Sequence, residues 1–166
     1  MSSQARPALA GSTPLMRNIV EIAPQIGIRE TRRIVGEYQL TEQDILGCRD
    51  FADSIGVQGW PVEAHIKGDV KFVFAPPASR GFNEIPYRII VPQKVDNLFV
   101  AGRCASMTHD GQSSARVSGP CFVMGQAAGT AADLALQAQV VPRALDVAAL
   151  QRRLRADGAN LGPSVP

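Results

Sequence analysis

The sequence predicts an α/β fold of the α+β, fragment-like kind, on three observations. Residues 60–91 hold short β-forming runs divided by turn residues, residues 97–101 form a compact apolar run that stops at Gly102, and a small-residue helical pattern opens at Ser118.

Taken in chain order, Ser12-Thr13-Pro14 supplies an N-cap followed by proline at the first helical position. Leu15, Ile19, Ile22, Ala23 and Ile26 then recur at helical spacing up to Gly27. Residues 29–38 mix charge with Ile34, Val35 and Tyr38 and read as a half-buried strand. Thr41 to Asp44 has the form of a capping box. It predicts a helix that turns Ile45, Leu46, Cys48, Phe51, Ala52 and Ile55 inward and ends at Gly56. Strands are expected at 60–66, 70–74 and 85–91, the first two joined by a hairpin at Lys67-Gly68-Asp69. Pro61 and Pro86 push their runs toward sheet edges or strand starts.

Residues 97–101 read as a strand buried on both faces, followed by a polar, glycine-bearing loop. From Ser118 to Leu136 small residues recur four apart, and Gly125 and Gly129 share a face with Cys121 where another backbone can approach closely. A last helix over 146–155 turns Leu150 and Leu154 inward and stops at Gly158. There is no internal repeat and no evident linker.

Composition bounds the function. The chain has 166 residues, 45% hydrophobic and 19% charged, enough for one core. A formal charge of +2, with arginines only in short clusters, implies no nucleic-acid partner. Three cysteines without a C-x-x-C pair suggest neither a disulfide framework nor a closed metal site, and a reducing cytoplasm fits best. No window approaches the roughly 18 apolar residues of a membrane span, and the N-terminus lacks a signal-type apolar region.

Chemistry is expected where the run at 97–101 passes through Gly102 and Arg103 to the helix beginning at Ser118. A glycine there permits close backbone contact, an arginine pairs with phosphate, and amides at 118–122, backed by the helix dipole, favour negative charge. Alone this pattern fits a ligand site and a structural turn about equally.

The residues also carry a resemblance. Gly27 through Asp44, Ile85-Pro86-Tyr87-Arg88, Asn97-Leu-Phe-Val-Ala-Gly-Arg-Cys104 and Arg116 through Ala132 stand in one collinear order, spanning about 15–161. They resemble the C-terminal portion, or small subunit, of the FAD-dependent oxidoreductases related to glutathione-reductase-type flavoproteins. The resemblance implies FAD and a two-part fold. Residues 1–28 are lead-in and N-terminal helix, 29–92 are part of a β-rich substrate-binding domain, and 93–166 are the closing part of the FAD-binding domain. It places Gly102, Arg103 and Cys104 along the ribityl and pyrophosphate of FAD. Ser118, Gly119, Cys121 and Phe122 fall at the helix start facing the flavin's pyrimidine end, where a dipole stabilises the charge of the reduced ring.

One departure is large: no G-x-G-x-x-G occurs in the chain. With its own Met1 and polar leader, the chain is expected to be a small subunit completed by a larger flavoprotein subunit carrying that motif, or a fragment of a longer enzyme. The expected activity is oxidation of a small organic substrate by hydride transfer to flavin. The alternative is a non-catalytic scaffold or regulatory module for a flavoprotein partner.

Among single residues, His109 is the candidate general acid or base, against an ordinary loop histidine. Arg116 is the candidate carboxylate or flavin-carbonyl holder, against a plain ion pair. Tyr87 and Arg88 are candidates to line the substrate cleft, with packing the rival role for Tyr87. His65 reads as structural. Cys104 and Cys121 lack dithiol spacing and are not expected to be catalytic.

Overall fold

The computed structural model describes residues 24–25, 27–66 and 69–163, without the side chains of 64–66. The expected helix over 15–26, the turn residues Lys67 and Gly68, and the role of the His65 side chain therefore lie outside the described residues. The remainder is a mixed fold of helices α1 (Glu42–Leu46), α2 (His109–Ala115), α3 (Ser118–Ala138) and α4 (Val147–Ala156) and strands β1 (Ser54–Gln58), β2 (Val62–Ile66), β3 (Asp69–Val73) and β4 (Asn83–Pro86). The strands form two separate antiparallel pairs, β1 with β4 and β2 with β3. Among the described residues no helix is long and apolar enough to cross a membrane.

The capping box at Thr41 forms as the sequence predicts. Thr41 Oγ1 accepts from the Asp44 amide at 3.2 Å and the Asp44 carboxylate accepts from the Thr41 amide at 2.9 Å. The helix it opens is short, however, because Gly47 caps it and Cys48 takes a left-handed φ of 50°. The chain then turns into β1, so Phe51 and Ile55 are buried as expected while Ala52 is exposed. Gly56, expected to stop a helix, lies inside β1, where a side chain would collide with Val123 of α3. The strand and the helix meet face to face at that glycine.

The hairpin β2–β3 forms, with Ile66 opposite Asp69. The run at 85–91 is a strand only as far as Pro86 and continues as a 3-10 turn, Tyr87–Ile90, that buries Tyr87, Ile89 and Ile90. Residues 29–40 form no strand; the run bends at 31 and again at 37–38. The Ile34 and Leu40 amides donate to Cys104 and Ser106, whereas those of Glu37 and Tyr38 donate to Val91 and Arg88. Alternation between two partners leaves only isolated bridges, Gly36 with Pro92 and Leu40 with Met107.

Two further expectations are corrected. Residues 97–101 are not a strand buried on both faces: Leu98 is 42% exposed, and the run has no strand partner among the described residues. The expected polar loop contains α2, capped by Thr108 Oγ1 on the Gly111 amide at 3.0 Å and carrying buried Gln112, Ser113 and Ser114. Gly111 is required there because any side chain would strike the Leu40 carbonyl. Helices α3 and α4 appear essentially where the sequence puts them, with Asp146 capping α4. The α3 face made by Met124, Ala127, Ala131 and Ala135 is buried, and α3 rests on β1 and α4.

Asp44 ties the α1 corner together by accepting from Tyr38 Oη at 2.9 Å and Arg49 Nη1 at 2.8 Å. Burial alone would raise its carboxyl, but the Thr41 amide, Arg49 and Tyr38 outweigh it and hold it below the ordinary range. A folded-state pKa below the unfolded value adds stability that is present above about pH 4 and lost as acid is added through the folded value. Asp44→Asn is expected to cost about 1–3 kcal/mol at neutral pH in urea unfolding and to flatten the loss of stability below pH 4. An unchanged acid limb would contradict this account.

Candidate functional site

The site expected from the sequence falls at the start of α3. Its N-cap, Val117, is extended and offers no side-chain oxygen, Pro120 has no amide hydrogen, and the Cys121 amide closes onto the Val117 carbonyl at 3.2 Å. Ser118 and Gly119 are exposed and line a surface groove together with Gln58, Gly59, Trp60 and Val123. An uncapped first turn concentrates the positive end of the dipole of a 21-residue helix at that groove. A side chain at position 119 would meet nothing within 4 Å, so the approach is open.

The 3-10 turn Gly102–Cys104 abuts this helix start. Gly102 has φ +75°, which favours glycine, and a Cβ there would lie 3.7 Å from Cys121 Sγ. Arg103 is exposed, with Nε donating to the Arg116 carbonyl at 3.5 Å. Cys121 Sγ lies 3.4 Å from the same carbonyl, and burial raises its thiol despite the opposing charge of Arg103. Cys104 is exposed, and its carbonyl holds the Ile34 amide at 2.9 Å. Gly102 thus packs against Cys121 and Arg103 against the Arg116 carbonyl, near the helix start, whereas the groove itself is lined by Ser118 and Gly119 and not by Gly102, Arg103 or Cys121. Phe122 lies on the outer face of α3, 75% exposed.

The other expected residues stand elsewhere. His109 opens α2, exposed, with Nδ1 within 3.0 Å of the Glu30 carboxylate. Burial would raise Glu30, but hydrogen bonds from His109 and Arg33 hold it low. The Arg116 side chain is buried and paired with Glu63 of β2, Nη2 to Oε2 at 3.2 Å. Tyr87 is buried; its hydroxyl donates to the Pro142 carbonyl at 2.8 Å, and burial pushes its pKa up. Arg88 binds Asp53 in bidentate fashion at 2.9 and 3.2 Å and lies over the Tyr38 ring. Tyr87 and Arg88 line a different groove, with Glu37, Asp53 and Arg143, that shares no residue with the one at α3.

Sequence reasoning missed the groove's other wall. Gln58 is buried and donates to Asn83 Oδ1 at 2.8 Å and Ser114 Oγ at 3.1 Å, while Ser114 Oγ donates to the Trp60 carbonyl at 2.6 Å. The polar Gln58 at the end of an apolar run was the available signal. Nothing in residue spacing marks Glu63 as the partner of Arg116.

Compared with known proteins, residues 10–154 match the sequence profile described as FAD dependent oxidoreductase. No curated protein and no solved structure matches the chain.

Because Arg116 and Glu63 are both largely buried, removing Arg116 takes from Glu63 its 3.2 Å ion pair and leaves the more exposed Arg29 at 3.8 Å to answer the charge. Arg116→Met is expected to destabilise the fold by about 1–3 kcal/mol in denaturant titration, and adding Glu63→Gln should return part of that loss. Additive losses in the double variant would show that the pair does not couple α2 to β2.

Proposed function

The chain belongs to the FAD dependent oxidoreductase family, whose cofactor is FAD, and on that premise we propose that the groove at the start of α3 is its share of a flavin site in an enzyme oxidising a small organic substrate. The reading rests on one observation: an uncapped helix start beside a positive-φ glycine turn and an exposed arginine. Those donors suit an anionic ligand, and the open space at Gly119 admits a group against the backbone. Bound FAD supplies hydride acceptance.

This chain's own residues then have separable tasks. The Ser118 and Gly119 amides and the α3 dipole stabilise negative charge at the groove. Gly102 keeps the neighbouring turn close to Cys121, and Arg103 pairs with phosphate from a position fixed by the Arg116 carbonyl. Arg116 acts as a positioning residue, joining α2 and β2 while its carbonyl steers Arg103. His109 is the candidate proton acceptor, oriented through Nδ1 by Glu30, with Nε2 left to exchange a proton. Tyr87 and Arg88 act as positioning residues, anchoring the segment that follows β4 to Pro142 and Asp53.

The dinucleotide-binding motif comes, in this reading, from a larger flavoprotein subunit. Support comes from residues 97–101, which lie in no strand among the described residues, and from the outer face of α3. There Phe122 and Leu136 are 75% and 79% exposed, and Gly125 and Gly129 have open space beside them. A groove between 97–99 and α3, lined by Phe99, Ala132, Leu136 and Val140, continues that surface.

Gly119→Glu tests the cofactor site without weakening the fold. A carboxylate in the first helical turn favours the dipole, so thermal stability should hold or rise, while retention of flavin in the complex with the motif-bearing subunit should fall by about tenfold or more. A complex without flavin absorbance, or one whose flavin is unaffected by Gly119→Glu, would overturn the assignment.

A further inference from the structure

A second groove shares a wall with the first. Gln58, Gly59 and Trp60 line both, and the second is enclosed by Pro61, Phe74 and Phe82 with Asn83 at its polar end. No charged side chain lines it. A neighbouring cation, Arg80, is stacked on the Phe82 ring at 4.5 Å, donates to the Phe82 carbonyl, and is paired with Asp50. Arg116, expected to hold a carboxylate or the flavin carbonyl, and Arg88, expected to line the substrate cleft, hold carboxylates of this chain instead, Glu63 and Asp53.

Resting on the flavin reading of the adjoining groove, we propose that the pocket between Trp60, Phe74 and Phe82 takes the substrate, and that the substrate is an uncharged, planar, largely apolar molecule. Three features argue this. Aromatic walls favour a flat ring by stacking and area burial. The absence of a lining cation leaves a carboxylate's desolvation uncompensated. The buried amide of Asn83, whose Oδ1 is held by Gln58 at 2.8 Å, gives the apolar walls one polar end, the pattern of a site that orients a ligand through a carbonyl or hydroxyl. Asn83 gives one amide hydrogen to the Glu84 carbonyl at 2.8 Å, and an amide nitrogen carries two. The shared wall at Gly59 and Trp60 sets a ring in this pocket beside the occupant of the α3 groove. Enclosure by side chains distant in sequence, from β1, the β3 exit and β4, makes the pocket a product of the fold rather than of one loop.

Trp60 is the only tryptophan in the chain, so its fluorescence reads this pocket directly. The full chain is titrated with benzamide and, separately, with benzoate, which has the same ring and a negative charge. Benzamide is expected to give a saturable change in Trp60 emission, with benzoate at least about tenfold weaker. Phe74→Ala, at an exposed position, should weaken benzamide by about fivefold with an unchanged melting temperature. Equal affinity for the two ligands, no saturable response, or indifference to Phe74→Ala would overturn the proposal. So would loss of the benzamide response when the larger subunit is added, because the pocket would then be a seat for polypeptide. The readout needs no flavin: a colourless complex that still prefers benzamide would uphold the pocket while refuting the flavin assignment.

Discussion

Contact between α3 and β1 at Gly56 organises the molecule. A bare backbone at that position lets Val123 press on the strand. The small buried residues Ala127, Ala131 and Ala135 allow the rest of the helix an equally close seat, since close packing tolerates little change in volume. The uncapped end of α3 is thereby delivered beside Gln58 and Trp60, at the end of the same strand and just beyond it. Position of the helix start and shape of both grooves follow from one strand–helix contact.

Much of this was legible in the sequence wherever a local rule sufficed. The Thr41 cap, the β2–β3 hairpin, α3 and α4 all depend on neighbours a few residues away, and all appear. What failed depended on distant partners. Ile45 to Ile55 show helical spacing, yet β1 exists because Asn83–Pro86 lies alongside it. Residues 29–40 have strand composition, but their hydrogen bonds are divided between 88–93 and 104–108. Helix α2 escaped notice because the residues it buries are Gly111, Gln112, Ser113, Ser114 and Ala115, and hydrophobic periodicity is blind to buried polar residues. Its cap, Thr108 three residues before Gly111, was the readable clue.

The site divides in the same way. A glycine with positive φ, an adjacent arginine and a helix start are sequence-local features, and the turn at Gly102 does pack against Cys121 of α3. Arg116 and Arg88 were recognised as notable by residue type alone. Their partners Glu63 and Asp53 come from other elements, and those partners change what each guanidinium can do. An arginine read from sequence is a charge; within the fold it has already been answered.

The segment at 34–40 has a consequence for insertions and deletions. Its amides and carbonyls alternate between two separate stretches of backbone, and at Gly36 a Cβ would come within 2.7 Å of Ser106 Cβ. Slippage by a single residue would therefore break its pairing on both banks at once and thrust a side chain into the narrowest passage. Length in this stretch is constrained like the pitch of a screw, even though no regular element runs through it.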